Sequence, residues 1–187
     1  NWAPDATHYY TSLGGATTVG SHYTALASDD GASSFVARLE APTENAISGF
    51  RGLLLWDKGQ GELARIGTAR KGLRAKDKMG VAISVTGHLY RTRFFGPRFD
   101  NTLAVLVPKD HLHLTSVATF VQSEEFVSLV RKVDQALSVT ESSFVKVPFD
   151  LALWRKVAAE KYPDGLPKAF SSDPTQWLFN GHPAGAD

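Results

Sequence analysis

The sequence predicts an α+β fold: a mostly antiparallel sheet with two or three helices packed on one side. Three observations carry this. Up to Pro108, short apolar runs of strand length alternate with Gly- and Pro-containing breaks. Beyond Pro108 the apolar period changes from two to 3.6, and residues suited to capping a helix precede the periodic stretches. With 43% apolar and 21% charged residues over 187 positions, the chain can bury a real core as one globular unit.

The first 49 residues read as an irregular N-terminal segment with one short strand, and 50–187 as the α+β domain. Residues 1–34 are rich in Gly, Ser, Thr and Ala, with turn signals at Gly14-Gly15 and Asp29-Asp30-Gly31. A strand follows at 35–39, ended by Pro42, and another at 50–56. Residues 57–64 spell a G-x-G-x-x-A turn, but Gly67 and Gly72 interrupt the helix that should follow, so a hairpin turn explains it better. Runs at 80–85, 89–94 and 102–107, separated by Thr86-Gly87 and Gly96-Pro97, predict a three-stranded meander. On such a strand Arg91 and Arg93 share a face, and Tyr90 points away from it.

Thr115 or Ser116 is placed to cap a helix carrying Val117, Phe120 and Val121. Ser123, followed by Glu124 and Glu125, is placed to cap a second. Phe126, Leu129, Val130, Val133 and Leu137 form its apolar stripe, and Arg131 and Lys132 read as solvated charges near its end. Residues 144–147, closed by Pro148, predict a strand. Asp150 starts a third helix with Leu151, Trp154, Val157 and Ala158 inward. Trp154 and Trp177 are rings that could stack on a base, but tryptophan on an apolar stripe is usually core. Asp173-Pro174 opens a final helical turn through Phe179, and the tail from Gly181 onward has no evident anchor.

Charge points to function. Nine basic side chains lie between positions 65 and 98: Arg65, Arg70, Lys71, Arg74, Lys76, Lys78, Arg91, Arg93 and Arg98. Asp77 is the one acid, so this window carries +8 against +1 for the whole chain, leaving −7 for the rest. A local positive field suits a polyanion partner, although a solvated basic face is the alternative. With no cysteine, disulfides, thiolate metal sites and cysteine nucleophiles are excluded. His8 and His22 have no clustered ligands around them, and His111-x-His113 lacks a third, so no metal is expected. No run approaches about 20 apolar residues and no signal peptide is legible, so a cytoplasmic location off the membrane is expected. A chain opening on Asn1 with Met79 as its single methionine also reads as a piece of a longer protein.

A basic segment, then GVAISVTGHLYRTRFFGPRFDNTLAVLVPKD, then VRKVDQALSVTESSFVKVPFDLALWRKVAAEKYPDGLPKAFSSDPTQWLFNGHPAG, resembles one part of the large single-chain adenine DNA methyltransferases. These belong to restriction-modification and related anti-phage systems, the DISARM type included. The resemblance covers roughly residues 50 to 187 and rests on motif order: basic segment, strand pair, F-D-N-T element, strand ending in Pro-Lys. It implies a target-recognition region that binds double-stranded DNA beside the catalytic domain of its parent chain. Arg70, Lys71, Arg74, Lys76, Lys78, His88, Arg91, Arg93 and Arg98 are the DNA-binding candidates. Arg74, Lys76 and Lys78 would reach phosphates from a loop, and Arg91 and Arg93 would read bases from a strand face, since a guanidinium fork can pair with guanine O6 and N7. His88, in a turn, reads as a plain turn residue more readily than as a contact.

Catalytic motifs are missing. None of the nine prolines adjoins another, so the Pro-Pro-aromatic element that holds a flipped base in this family is absent, as is its acidic, glycine-rich donor turn. There is no Glu- or Gln-x-Lys nuclease tripeptide, no G-x-S-x-G and no His-Glu-x-x-His. The chain itself is therefore expected to need no cofactor; S-adenosylmethionine is implied for the parent enzyme. Two other readings stand beside recognition: an interaction or scaffolding module of a larger protein, and a small-molecule site marked by a pocket with perturbed titratable groups.

Overall fold

The computed structural model describes residues 10–12, 34–43, 47–56 and 74–177. Its strands are β1 (Tyr10–Ser12), β2 (Ser34–Leu39), β3 (Phe50–Trp56), β4 (Gly80–Ser84), β5 (Arg91–Phe94), β6 (Arg98–Phe99) and β7 (Leu103–Leu106). A 3-10 turn at His111–His113 leads into α1 (Leu114–Val121), α2 (Glu124–Val133), α3 (Glu141–Phe144) and α4 (Leu151–Lys161), and a second lies at Pro174–Gln176. The fold is α+β.

The strands divide into two sheets, ordered β1-β3-β2-β6 and β5-β4-β7, instead of one. The second is no meander: β4 lies in the middle, antiparallel to both neighbours. Pro97 has no N–H to continue a ladder, and the chain breaks there. It then pairs β6 in parallel with β2, Arg38 opposite Arg98, before returning as β7 on the far side of β4. The F-D-N-T element makes that return turn. Asp100 accepts from the backbone N–H of Thr102 at 2.9 Å and from its hydroxyl, and takes Arg38 at 2.9 Å.

β4 is buried along its whole length. Val81, Ile83 and Val85 face the helices, where Phe120, Phe126, Phe144 and Trp154 complete the larger core. Ala82 faces the other way, into a smaller core with Leu39, Phe50, Phe94 and Leu103 that joins the two sheets. Gly80 is required by contact: a Cβ there would stand 2.3 Å from the Leu106 carbonyl oxygen.

The helix starts follow local chemistry. Ser123 Oγ accepts from Phe126 N–H, and Asp150 from Leu153 N–H, as their sequence positions predict. At α1 the cap differs: Asp110 accepts from Leu112 N–H and opens the 3-10 turn that runs into the helix, leaving Thr115 and Ser116 inside it. Asp173 accepts from Thr175 N–H with Pro174 in the first position. Gln176 then spans the chain, its side chain bonding both the N–H (3.1 Å) and the C=O (2.9 Å) of Phe50. The tail beyond 177 and most of residues 1–34 lie outside the described residues.

Two further expectations are corrected. Residues 144–147 are not a strand: Phe144 and Val147 are buried and Val145 is exposed, a spacing of three that belongs to a helical turn. In this part of the chain the bridge to the sheet comes instead from Ser138, opposite Thr86, with Val139 N–H donating to the Val85 carbonyl at 2.7 Å. The apolar stripe of α2 is also shorter than its periodicity: Phe126 and Val130 are buried, but Val133 is 41% and Leu137 82% exposed. Asp134 ends the helix first. Its carboxylate accepts from Ser143 Oγ (2.7 Å), Ala136 N–H (3.0 Å) and Thr140 N–H (3.3 Å), turning the chain into α3.

Phe126→Ala should therefore cost about 3–5 kcal/mol, and Leu137→Ala no more than roughly 0.5 kcal/mol, measured by urea unfolding. Equal losses would place Leu137 in the core. A pH effect is also expected at Asp134. The Ser143 hydroxyl first, then the Ala136 and Thr140 amides, hold this carboxyl below its ordinary range. A depressed folded-state pKa gives stability that is present above the unfolded value and lost as pH falls through the folded one. Asp134→Asn should thus lower stability at neutral pH and flatten its decline below about pH 4. Parallel acid limbs for the two proteins would rule this linkage out.

Candidate nucleic-acid interface

The basic window enters the described residues at Arg74; Arg65, Arg70 and Lys71 lie outside them. Residues 74–77 form a turn whose small residue, Ala75, is buried against the core that joins the sheets. Asp77 takes a left-handed φ of 57°, and Lys78 N–H donates to the Ala75 carbonyl at 3.1 Å. The turn lies against the β5–β6 connection at Gly96. With φ 92° and a would-be Cβ 2.7 Å from the Asp77 backbone, that position accepts only glycine without displacement. The backbone is thus pinned while Arg74, Lys76 and Lys78 project into solvent. Lys76 pairs with Asp77 at 3.6 Å, both well exposed, which does little to withdraw it from other anions. Arg98 sits half-buried beneath; burial pushes its guanidinium down from the ordinary value, and the Asp77 carboxylate opposes that.

A groove of about 390 Å³ continues from this turn, with Lys78 and Met79 on one side and Pro108, Lys109 and His111 on the other. The β4–β7 register explains it. Val81 pairs with Leu106, and continuing that antiparallel register past the strand ends brings position 78 level with 109. Lys109 and His111 were not legible as partners of Lys78, because nothing in the sequence says that β7 returns beside β4 instead of beside β5. His111 lies 3.8 Å from the Asp110 carboxylate that caps its turn. Among the described residues no group of three or more potential metal ligands forms.

The other candidates are elsewhere. His88 is exposed on the turn at the opposite end of β4, its ring 5.5 Å from that of Tyr90. Arg91 and Arg93 do share a face, but Arg91 pairs across with Ile83 and Arg93 with Val81, so the face is the one the helices cover. The expectation of two solvent-facing base readers is corrected accordingly. Arg91 is 2% exposed, its guanidinium reaching the carbonyls of Leu89 and Gln122 and the Glu124 carboxylate at 3.1 Å. Arg93 is half-buried, donating to the Pro167 carbonyl at 2.8 Å with its guanidinium 5.2 Å from the Phe95 ring centre. Arg131 is no free helix charge either: it holds the carbonyls of Ala136 (2.6 Å) and Gly87 (2.7 Å).

Arg91 therefore acts as a strut under the α1–α2 junction. Its loss removes packing as well as charge, whereas Glu124 is 85% exposed and water can take its place. Arg91→Ala is expected to cost about 2–4 kcal/mol and Glu124→Ala about 1 kcal/mol or less, read by chemical denaturation. A larger loss for Glu124→Ala would show that the carboxylate, not the buried stem, holds the junction. No protein-family model matches this chain, and neither does any curated protein.

Proposed function

We propose that this chain is the DNA target-recognition part of an adenine-specific, S-adenosylmethionine-dependent DNA methyltransferase of a restriction-modification or anti-phage system. It grips double-stranded DNA by the backbone, through the 74–78 turn and the groove beside it. The observation that carries the DNA contact is the turn: three exposed cations, Arg74, Lys76 and Lys78, on a backbone pinned by Ala75 and Gly96. Pinning matters because an ordered loop gives up less conformational entropy when it engages phosphates. Lys109 and the His111 ring extend the same strip, and three to five such contacts are enough to make affinity strongly salt-dependent. The adenine-methyltransferase assignment rests on the sequence resemblance. On that reading the methyl donor and the chemistry belong to the catalytic domain of the same parent chain.

Arg91 has no part in this surface, since a side chain under the α1–α2 junction cannot reach a base edge without opening the core. Base readout falls to other residues, and the 74–78 turn positions without specifying. An interaction or scaffolding module is the second reading, favoured by the exposed apolar side chains Leu112, Leu137 and Val145. Salt separates the two. Phosphate contacts give a steep linear fall of log affinity with log salt, and a mixed protein interface gives a shallow one.

Fluorescence anisotropy on a labelled duplex should show Lys76→Ala/Lys78→Ala weakening binding alike on all sequences and reducing the salt slope by about two. An unchanged slope would return the turn to a merely solvated face. Calorimetry should detect no S-adenosylmethionine binding to this chain; micromolar affinity would put the donor site here.

A further inference from the structure

A duplex gripped by its phosphates needs exposed cations, yet half of the groove beside the 74–78 turn is apolar. Met79, Val107, Pro108 and Leu114 line it together with Asp77, Lys78, Lys109 and His111. One wall is the segment that enters β4; the other is the segment that leaves β7 and turns into α1. Gly80 ties the two together, because a Cβ at that position would stand only 2.3 Å from the Leu106 carbonyl oxygen. Asp110 shapes the second wall by accepting from Leu112 N–H at 2.9 Å, which sets the turn that carries His111.

Each kind of lining residue has a counterpart in one nucleotide. Lys78 and Lys109 are point charges suited to a phosphate, and the His111 ring brings an N–H donor to the same strip. Asp77 has no use for a phosphate, whose oxygens only accept. Its carboxylate is exposed, with Lys76 Nζ 3.6 Å from one oxygen, and a base edge carries N–H donors that a carboxylate accepts. Met79 is 49% exposed, and its polarizable thioether packs well against an aromatic ring. Bases inside a duplex already have their faces covered by stacking, so only an unpaired base can use such a floor.

We propose that the groove seats one unpaired nucleotide of a DNA strand: phosphate against Lys78, Lys109 and His111, base face on Met79 and Leu114, base-edge N–H on Asp77. This rests on the DNA-binding reading for the strand that delivers the nucleotide, and adds a preference for an unpaired end that phosphate contacts alone do not give. Size agrees. A cavity of about 150 Å³ accommodates benzene, so a groove of about 390 Å³ has room for a base with its sugar and phosphate.

Fluorescence anisotropy of the 187-residue chain should compare three labelled duplexes of one sequence: blunt, with a single unpaired deoxyadenosine at one end, and with that end nucleotide lacking its base. The unpaired adenine should tighten binding at least about fivefold over both others. Met79→Ala should bring the adenine and abasic ends to equal affinity. Lys76→Ala, which lies outside the groove lining, should weaken all three and keep their ratio. Thermal denaturation checks that Met79→Ala keeps its fold, and calorimetry tests the groove with no substitution at all. There deoxyadenosine monophosphate should bind at least about fivefold more tightly than inorganic phosphate or deoxyadenosine. A monophosphate bound more tightly than the adenine-ended duplex would identify a free nucleotide as the occupant; the reverse identifies a strand end. Equal binding of the three duplexes, with no preference for the monophosphate over its two parts, would overturn the proposal and leave the salt-dependent grip on blunt DNA standing. Absence of blunt-duplex binding with the monophosphate preference intact would overturn the DNA reading alone.

Discussion

Burial of β4 on both faces is the constraint from which the rest of the structure follows. A five-residue strand with Val81 and Ile83 fully buried on one side and Ala82 on the other cannot be an edge, so it must have a neighbour on each side and a layer over each face. β5 and β7 supply the neighbours, the helices one layer, and Leu39 and Phe50 of the other sheet the second. Each fully buried aliphatic or aromatic side chain is worth about 1.5–3 kcal/mol against exposure. A one-residue slip of β4 would exchange its faces, putting Ala82 under the helices and Val81 and Ile83 against the other sheet. The register is therefore fixed, and the close approach of Gly80 to the Leu106 carbonyl fixes it again.

Parity then decides what the basic residues can do. Residues opposite Val81 and Ile83 must face the helices, so Arg93 and Arg91 are committed to that side before any question of function arises. Positive charge summed along a sequence is not positive charge on a surface. Of the six basic side chains among the described residues of the window, Arg74, Lys76 and Lys78 are exposed, Arg98 and Arg93 are half-buried, and Arg91 is enclosed. The exposed basic strip is correspondingly narrower than the window, and it gains Lys109 and His111 from a segment that charge counting passed over.

Local features were legible in the sequence; long-range ones were not. Ser123, Asp150 and Asp173-Pro174 open their helical segments because a short acceptor side chain satisfies amides two or three residues away, a relation contained in a few consecutive letters. Strand positions were legible for a similar reason, since β-branched runs between Gly and Pro need no partner to be recognised. Which strands pair is a different question. The departure of β6 to β2 depends on Arg38 and Asp100, 62 positions apart, and no local pattern announces it. The end of α2 lies between these cases. Periodicity alone runs on to Leu137, and only the convergence of Ser143, Ala136 and Thr140 on Asp134 stops it.

The contrast between Arg91 and Arg93 follows from what covers each. The two are alike in type, strand and face, and differ in the element above them. Arg91 lies beneath the α1–α2 junction, where Gln122 has already ended one helix and leaves a carbonyl without an internal partner, and where Glu124 begins the next. A helix end and a helix start meeting there provide one acceptor and one carboxylate for the two terminal nitrogens, and the arginine becomes structural. Arg93, one pleat further along, lies beneath the loop after α4, where its hydrogen bond goes to the carbonyl of Pro167. An arginine required by register to point inward thus meets a helix end and a helix start in one position and a proline-bounded loop in the next, and the covering segment, not the strand, sets its partners.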